Sequence, residues 1–226
     1  MRLYKPKTLG LAAIMASTAM LSVGAFGASA ALAETVTLHE ESTTGPAVPT
    51  TETIRGTSSN LVFHTSSGNL ECETSTVEGK PTKNPGEPAE GEITEASFTG
   101  KETSSRCKTT LEVLGSKLTA AITPTGLPWI LKFFANGTTT ITSKTGTEVD
   151  FSAKLFLGTT EVAHCAYTKT TVEDTFGFNA ALVDTITKQV FTLEAGSSSS
   201  CPSTGELNGS FTIKTDKGVT VVATKP

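Results

Sequence analysis

The sequence is poor in the side chains on which most enzymes and nucleic-acid-binding proteins depend. Its 226 residues include one tryptophan, two tyrosines, three histidines and four cysteines, and aromatic residues make up 6% of the chain. Acidic residues outnumber lysine and arginine by 22 to 18. An acidic chain without a basic stripe cannot neutralise phosphates, so we do not expect nucleic acid as a partner.

Catalytic motifs are missing as well. The sequence has no Gly-x-Ser-x-Gly elbow, phosphate-binding loop, dinucleotide fingerprint or calcium-loop spacing. His39 falls in a segment expected to be a flexible lead-in, while His64 and His164 alternate within strand patterns, where exposure or an ordinary hydrogen bond is the usual outcome. Acidic residues fall mainly on wet strand faces or in loops. We therefore expect no enzyme and no cofactor, and a secreted hydrolase is the weakest alternative.

The four cysteines are Cys72, Cys107, Cys165 and Cys201. They lack the Cys-x-x-Cys spacing of metal sites, so no metal is expected. An even number of cysteines in an exported protein indicates two disulfides, for which three pairings are possible. We favour Cys72 with Cys107 and Cys165 with Cys201, because each bridge then closes a local loop of about 35 residues.

The N-terminus has the pattern of a secretory signal peptide. Arg2, Lys5 and Lys7 precede an uncharged stretch of small and apolar residues that closes on Ala-Leu-Ala. This predicts a signal peptide over residues 1–33, cleaved after Ala33. Cleavage would shift the net charge from -4 to about -7. The product is expected to be secreted or held at the cell surface, with no integral membrane segment.

Threonine-rich segments with period-two alternation dominate the rest of the chain. In 149–157, Val149, Phe151 and Ala153 share one face, and polar side chains occupy the other. Similar short runs recur to the C-terminus, separated by glycine, proline, asparagine and serine turns, and none keeps helical spacing for three turns. The prediction is an all-β protein: an antiparallel β-sandwich, immunoglobulin-like or jelly-roll, with a barrel-like form as a further option.

The composition divides the predicted mature chain in two. Residues 34–57 are expected to be a flexible lead-in with a first strand near 35–38, and residues 58–226 a single β-sandwich domain. Within that domain, the charged, proline-rich stretch 79–92 is expected to be an exposed loop between strands.

The single tryptophan stands in a Leu127-Pro128-Trp129 element. Trp129 could be an exposed platform on which a sugar ring stacks, or it could belong to the core. It shares a strand face with Leu131 and Phe133, and a chain with few aromatic residues needs most of them inside. We therefore expect Trp129 to be buried.

Five segments together resemble a known group of proteins: SGNLECETSTVEG, EITEASFTG, TPTGLPW, CAYTKTTVEDTF and SSSSCPSTGELNGSFT. Over about residues 58–220 the chain is similar to threonine- and serine-rich exported proteins of actinobacteria, which have no established activity. More distantly, it resembles secreted bacterial proteins named as activators of alkane oxidation. Leu127, Pro128 and Trp129 match the shared Leu-Pro-Trp element, and the four cysteines match the group's framework. The resemblance implies no catalytic residue.

These observations favour an exported, non-enzymatic protein that acts at the cell surface or in the extracellular matrix, with self-association through strand edges as one way of acting. The alternative from another class is a module that binds a glycan or a hydrophobic ligand, through Trp129 or through an internal cavity. The partner and the ligand are not identified by the sequence.

Overall fold

A computed structural model describes residues 34–100, 105–146 and 148–226. The predicted signal peptide and its cleavage site at Ala33 lie outside these residues. The described residues form no helix. Their strands are, in chain order, β1 Thr37–Glu40, β2 Ile54–Ser58, β3 Leu61–Thr65, β4 Gly68–Cys72, β5 Thr74–Lys83, β6 Ala89–Thr99, β7 Cys107–Val113, β8 Ser116–Thr125, β9 Trp129–Phe133, β10 Thr138–Ser143, β11 Val149–Leu157, β12 Thr160–Lys169, β13 Val172–Phe176, β14 Val183–Leu193, β15 Thr204–Thr215 and β16 Val221–Thr224.

Fourteen of these strands close into one antiparallel ring. Many of the strands are the two halves of a longer, interrupted strand. β2 and β3 show this directly, because both pair with the continuous strand β15. Its first half pairs with β3 and its second half with β2. Five further pairs each make up one barrel strand in the same way: β4 and β5, β6 and β7, β8 and β9, β10 and β11, and β12 and β13.

The ring therefore has eight strand positions, and each pairs with the next along the chain until β15 returns to β2 and β3. This is the order of an up-and-down barrel. The predicted class, antiparallel all-β, is confirmed in its barrel-like form. The immunoglobulin-like and jelly-roll orders need Greek-key connections, so they do not describe this sheet. Because each barrel strand has a neighbour on both sides, the large sheet offers no open edge along these pairings.

A small second sheet covers one end of the barrel. In this sheet β1 pairs with β16, and a bridge joins Val36 to Gly86 in the turn between β5 and β6. The side-chain amide of Asn84 accepts a 2.8 Å hydrogen bond from the Leu38 N–H and donates 2.9 Å bonds to the carbonyls of Leu38 and Val48. We call β1, β16 and residues 46–48 the cap.

The cap corrects the expectation of a flexible lead-in. Val36, Leu38 and Val48 are buried, and β2 is a barrel strand. The segment 34–57 is thus part of the folded domain. Its polar composition concealed this, because only a few apolar side chains are needed to close the end of a barrel.

The stretch 79–92 also differs from its prediction. Strand β5 continues to Lys83 and β6 starts at Ala89, so only residues 84–88 form a turn. Charged residues in the stretch point outward from paired strands, as Glu92 does when it binds Lys144 at 2.6 Å. The charges reflect the wet face of a hairpin and not a loop.

Two disulfides join the strands. Cys72 on β4 bonds to Cys107 on β7, and Cys165 on β12 bonds to Cys201 in the segment between β14 and β15. This is the pairing favoured from the spacing. Each bridge spans neighbouring positions of the barrel.

Aromatic rings fill the half of the barrel that lies away from the cap. The Phe63 ring lies 5.1 Å from Phe151 and 4.9 Å from Tyr167, measured between ring centroids, and both contacts are edge-on. Phe191 joins the same cluster. Gly205 on β15 lies directly against Phe63, where a Cβ atom would overlap the ring. The rings pack against one another but leave a small unfilled space beside Phe63 and Phe151.

Candidate functional site

The barrel interior is not completely filled. A cavity of about 80 Å³ lies between the aromatic cluster and the capped end. Its lining is apolar except for one carboxyl group, that of Asp184. Trp129, Ile141, Val172 and Phe211 are among the apolar residues that line it. A space of this size exceeds the minimum needed for a water molecule several times over, yet apolar walls give water few hydrogen bonds.

A second, smaller cavity adjoins the first. It has a volume of about 50 Å³ and is lined by apolar residues that include Leu70 and Cys72. Leu61, Phe98, Phe151 and Leu207 line both cavities and so form the wall between them. Rotation of these side chains would change how the free volume is divided.

Trp129 belongs to the cavity wall and not to the surface. Its side chain is buried, as are those of Leu131 and Phe133 on the same face of β9. The indole Nε1 donates a 3.2 Å hydrogen bond to the carbonyl of Thr125. The predicted buried stripe is therefore present, and the ring is the one tryptophan that can report on the cavity.

The flanking residues of this element hold the entry into β9. Leu127 packs against the core, and Pro128 immediately precedes the strand. The carbonyl of Pro128 accepts a 3.1 Å hydrogen bond from the Lys144 N–H. Pro128 lacks an N–H group, and because it lies just before the first residue of β9, no hydrogen bond of the β-ladder is lost.

Asp184, the polar residue of the cavity lining, has a second buried aspartate, Asp174, as its neighbour. Asp174 on β13 and Asp184 on β14 are 3% and 4% exposed. They are diagonal neighbours, because Asp174 pairs with Ile186 and Asp184 with Phe176. Thr139 on β10 stands opposite Asp174 and donates a 2.7 Å hydrogen bond from its hydroxyl to Asp184 Oδ1. We call Thr139, Asp174 and Asp184 the acid cluster.

Asp174 is the unusual member of the acid cluster. No N–H or O–H group of the described residues donates to either of its carboxyl oxygens. Among the described ion pairs none involves Asp174 or Asp184. A buried carboxyl group without a donor or a cation is costly when it is ionised, so it holds its proton.

The electrostatics follow from this geometry. Burial, the charge of Asp184 and a hydrogen bond with the Asp184 carboxyl together raise the pKa of Asp174 to about 8, while the charge of Lys169 opposes the shift. Burial raises the pKa of Asp184 to about 6, and the Thr139 hydrogen bond works against that rise. At neutral pH the acid cluster therefore carries about one negative charge, and a protonated Asp174 can share its proton with Asp184.

The sequence did not identify the acid cluster. Acidic residues were assigned to wet faces or loops, which holds for Glu73, Glu92 and Glu161, each paired with a surface lysine. Alternation in Val-Glu-Asp-Thr-Phe, 172–176, does place Asp174 on the same face as Val172 and Phe176. That parity was the available signal.

The three histidines do not form a site together. His64 and His164 are exposed on the outside of the barrel, as expected. His39 lies on β1 in the cap, where its ring nitrogens contact the Gly45 carbonyl at 2.7 Å and the Thr224 hydroxyl at 3.0 Å. His39 thus has a structural setting and not the flexible one expected.

The described residues lack two further kinds of feature. They contain no helix long and apolar enough to cross a membrane. No group of three or more His, Cys, Asp or Glu side chains in 34–100, 105–146 and 148–226 is arranged to hold a metal ion.

Comparison with known proteins gives no further assignment. No protein-family model matches the chain, and neither a curated protein nor a solved structure matches it. The cavity and the acid cluster are therefore the features of the described residues that bear on function.

Proposed function

We propose that this chain is an exported, non-enzymatic protein that binds a small, mainly apolar molecule inside its barrel. The observation that carries the proposal is the cavity next to Trp129, whose lining is apolar apart from Asp184. Closed eight-stranded barrels commonly have room for one small ligand. Most of a ligand placed here would contact apolar side chains, which form no hydrogen bonds with water.

Export is supported by two independent features. The N-terminal pattern is that of a signal peptide. The two disulfides are compatible with an oxidising compartment outside the cytosol. We propose that the protein works after secretion, either released or held at the cell surface.

Binding is better supported than self-association through strand edges. Self-association through strand edges requires strands with an unpaired side, and closure of the barrel gives each of its strands a neighbour on both sides. The most exposed apolar residue of the described chain is Leu114, which is 99% exposed at the tip of the β7–β8 hairpin. A single hairpin tip presents much less apolar surface than a stable dimer interface requires.

The cavity limits the size of the ligand. An engineered cavity of about 150 Å³ accepts benzene, so a space of about 80 Å³ favours a smaller molecule, with roughly four to six non-hydrogen atoms, unless the wall shared with the second cavity moves. At the ceiling of about 1.5 kcal/mol per non-hydrogen atom, such a ligand binds with no more than about 9 kcal/mol. Because this figure is an upper limit and a binding free energy of about 4 kcal/mol corresponds to a Kd of about 1 mM, titrations should extend into the millimolar range.

The proposal is tested with xenon and isopentane as apolar probes. Saturable changes in the xenon NMR shift and in Trp129 fluorescence are expected for the secreted form of the protein. The variant Ile141→Phe fills the cavity from β10 and should abolish both responses. The control Thr140→Phe adds the same ring on the opposite face of that strand and should leave them unchanged.

The absence of a saturable response in the wild-type protein would overturn the proposal. The same holds if Ile141→Phe, shown by circular dichroism to be folded, responded like the wild type. Light scattering in parallel would reveal whether the protein associates with itself instead.

A further inference from the structure

Asp184 is an unusual lining residue for an apolar cavity, and the acid cluster to which it belongs points to the chemistry of the ligand. An ordinary structural aspartate inside a protein is paired with a cation or with several donors. Asp184 has the Thr139 hydroxyl at 2.7 Å, and neither oxygen of Asp174 receives a hydrogen bond from the described residues. The cluster therefore has hydrogen-bonding capacity that the protein does not use.

We infer that the cavity is selective for a small aliphatic amine in its protonated form, with the hydrocarbon part between Trp129 and Phe211 and the ammonium group against Asp184 and Asp174. This inference rests on the proposed function, since it names the ligand class of the same cavity. It is carried by three features: the carboxyl of Asp184 in the lining, the buried side chain of Asp174 beside it, whose oxygens receive no hydrogen bond from an N–H or hydroxyl group of the described residues, and apolar walls elsewhere.

The donor count favours an ammonium group over a neutral alcohol. A primary ammonium has three N–H donors and no acceptor, whereas an alcohol has one donor. The acid cluster offers several carboxyl oxygens and, from Thr139, a hydroxyl that is already used as a donor. An ammonium group would supply donors to both carboxyl groups and also the positive charge that the cluster lacks.

The position of the charged groups makes binding dependent on pH. The groups that face the acid cluster are Asp174 on β13, Asp184 on β14 and the uncharged Thr139 on β10, and Lys169 at the end of β12 is the cation whose charge reaches Asp174. An aliphatic amine stays protonated to about pH 10, as lysine does. Its affinity should therefore rise with pH as the two carboxyl groups lose their protons, and binding of an uncharged ligand should not.

The experiment compares three ligands of the same shape: isobutylamine, isobutanol and isopentane. Calorimetric titrations of the secreted protein are made at pH 5.5 and pH 8.5. We expect isobutylamine to bind about tenfold or more tightly than isopentane at pH 8.5, in line with hydrogen bonds to charged groups. That preference should shrink at pH 5.5.

Two isosteric variants assign the effect to the acid cluster. Asp184→Asn and Asp174→Asn should each reduce the preference for isobutylamine to within about threefold of isopentane, while isopentane binding persists. Glu173→Gln, on the outer face of β13, removes a carboxylate from the same strand and should keep the preference. Persistent isopentane binding shows that the variants still fold and retain the cavity.

The outcomes separate this inference from the proposed function. If isopentane binds and isobutylamine binds no more tightly, the amine inference is wrong and the apolar-ligand proposal stands. If the preference survives in both aspartate variants, the ammonium lies elsewhere and the inference is also wrong. If none of the three ligands binds the wild-type protein, the proposed function itself fails.

Discussion

The hydroxyl of Thr139 donates a 2.7 Å hydrogen bond to the carboxyl of Asp184 inside the barrel. Thr139 is fully buried and Asp184 nearly so. The contact joins β10 to β14 across the intervening strand β13, so one side chain orients the only charged group of the cavity lining. The stability of the barrel and the protonation of its interior are therefore linked.

Replacement of Thr139 by valine should destabilise the protein. The variant keeps the shape of the side chain but leaves Asp184 Oδ1 without its donor, at a cost of about 1 to 3 kcal/mol in the free energy of unfolding. Urea denaturation at pH 7 measures the loss. The matched control is Thr140→Val on the outer face of the same strand, for which a change below about 0.5 kcal/mol is expected. Equal effects at the two positions would argue against the buried hydrogen bond.

The stability of the protein should fall as the pH rises from about 4 to about 8. The pKa of Asp184 is raised to about 6 and that of Asp174 to about 8, so the folded state holds protons that the unfolded state releases near pH 4. The stabilisation is fully present below pH 4 and is lost as the pH passes each raised pKa. Each group contributes a slope of up to about 1.4 kcal/mol per pH unit.

Chemical denaturation at several pH values checks this dependence, and Asp174→Asn isolates the larger contribution. The variant cannot ionise at this position, so its stability should vary less between pH 6 and pH 8. Relative to its own free energy of unfolding at pH 6, the variant should therefore retain more stability at pH 8 than the wild type does. A wild-type stability that is flat or rises over this range would contradict the buried acid cluster.

Asn84 should be a stability determinant of the cap. Asn84→Ala removes three hydrogen bonds to the backbone of Leu38 and Val48, so we expect a loss of about 2 to 3 kcal/mol. Faster hydrogen exchange of the Leu38 and Val48 amides, measured by mass spectrometry of the N-terminal peptides, should accompany the loss. Asn69→Ala serves as the control, because the hydrogen bond described for the Asn69 side chain is to the exposed His64 ring. A flexible segment 34–57 would instead exchange fast in the wild type.

Gly205 should not tolerate a side chain. A Cβ atom at this position overlaps the Phe63 ring, so Gly205→Ala is expected to cost about 1 to 3 kcal/mol, as overpacking of a core does. Gly177→Ala is the control, since a Cβ atom there meets no other atom within 4 Å. Thermal unfolding compares the two. The double variant with Phe63→Leu should lose less stability than the sum of the two single changes.

The two disulfides should each contribute substantially to stability. Cys72 and Cys107 are 35 residues apart, and Cys165 and Cys201 are 36 apart. On the chain-entropy account, replacing either pair by alanines costs about 3 to 4 kcal/mol. Peptide mapping without reduction should recover Cys72 with Cys107 and Cys165 with Cys201. Recovery of a cross-pairing would contradict the barrel, in which Cys72 and Cys107 lie on neighbouring strands and Cys165 on β12 faces the segment between β14 and β15.

Local sequence patterns predicted the inward and outward faces of single strands well. Trp129, Leu131 and Phe133 occupy alternate positions of β9, and all three are buried, whereas Ile130 and Lys132 between them are only partly buried. The pattern failed at 79–92, where prolines and charges suggested a loop, because outward charges and a short turn leave little apolar signal. It also failed at 34–57, where the few buried residues of the cap are separated by long polar stretches.

The candidate site was beyond what local patterns could give. Val172, Asp174 and Phe176 share one face by alternation, but the sequence cannot tell whether that face meets solvent or the interior. Thr139, Asp174 and Asp184 come from three strands, and only their register brings them together. A cavity, moreover, depends on how side chains from all parts of the barrel fill its interior.

By itself the sequence predicted export, the antiparallel β class, the favoured cysteine pairing and the buried face around Trp129. These properties follow from local rules: the composition of the first 33 residues, a side-chain period of two, and cysteines close enough along the chain to form short loops. The tertiary structure alone decided that the sheet closes, that the N-terminal segment caps one end and that two aspartates share the interior with an apolar cavity. Those features arise from contacts between residues far apart in the chain, for which alternation along a strand carries no information.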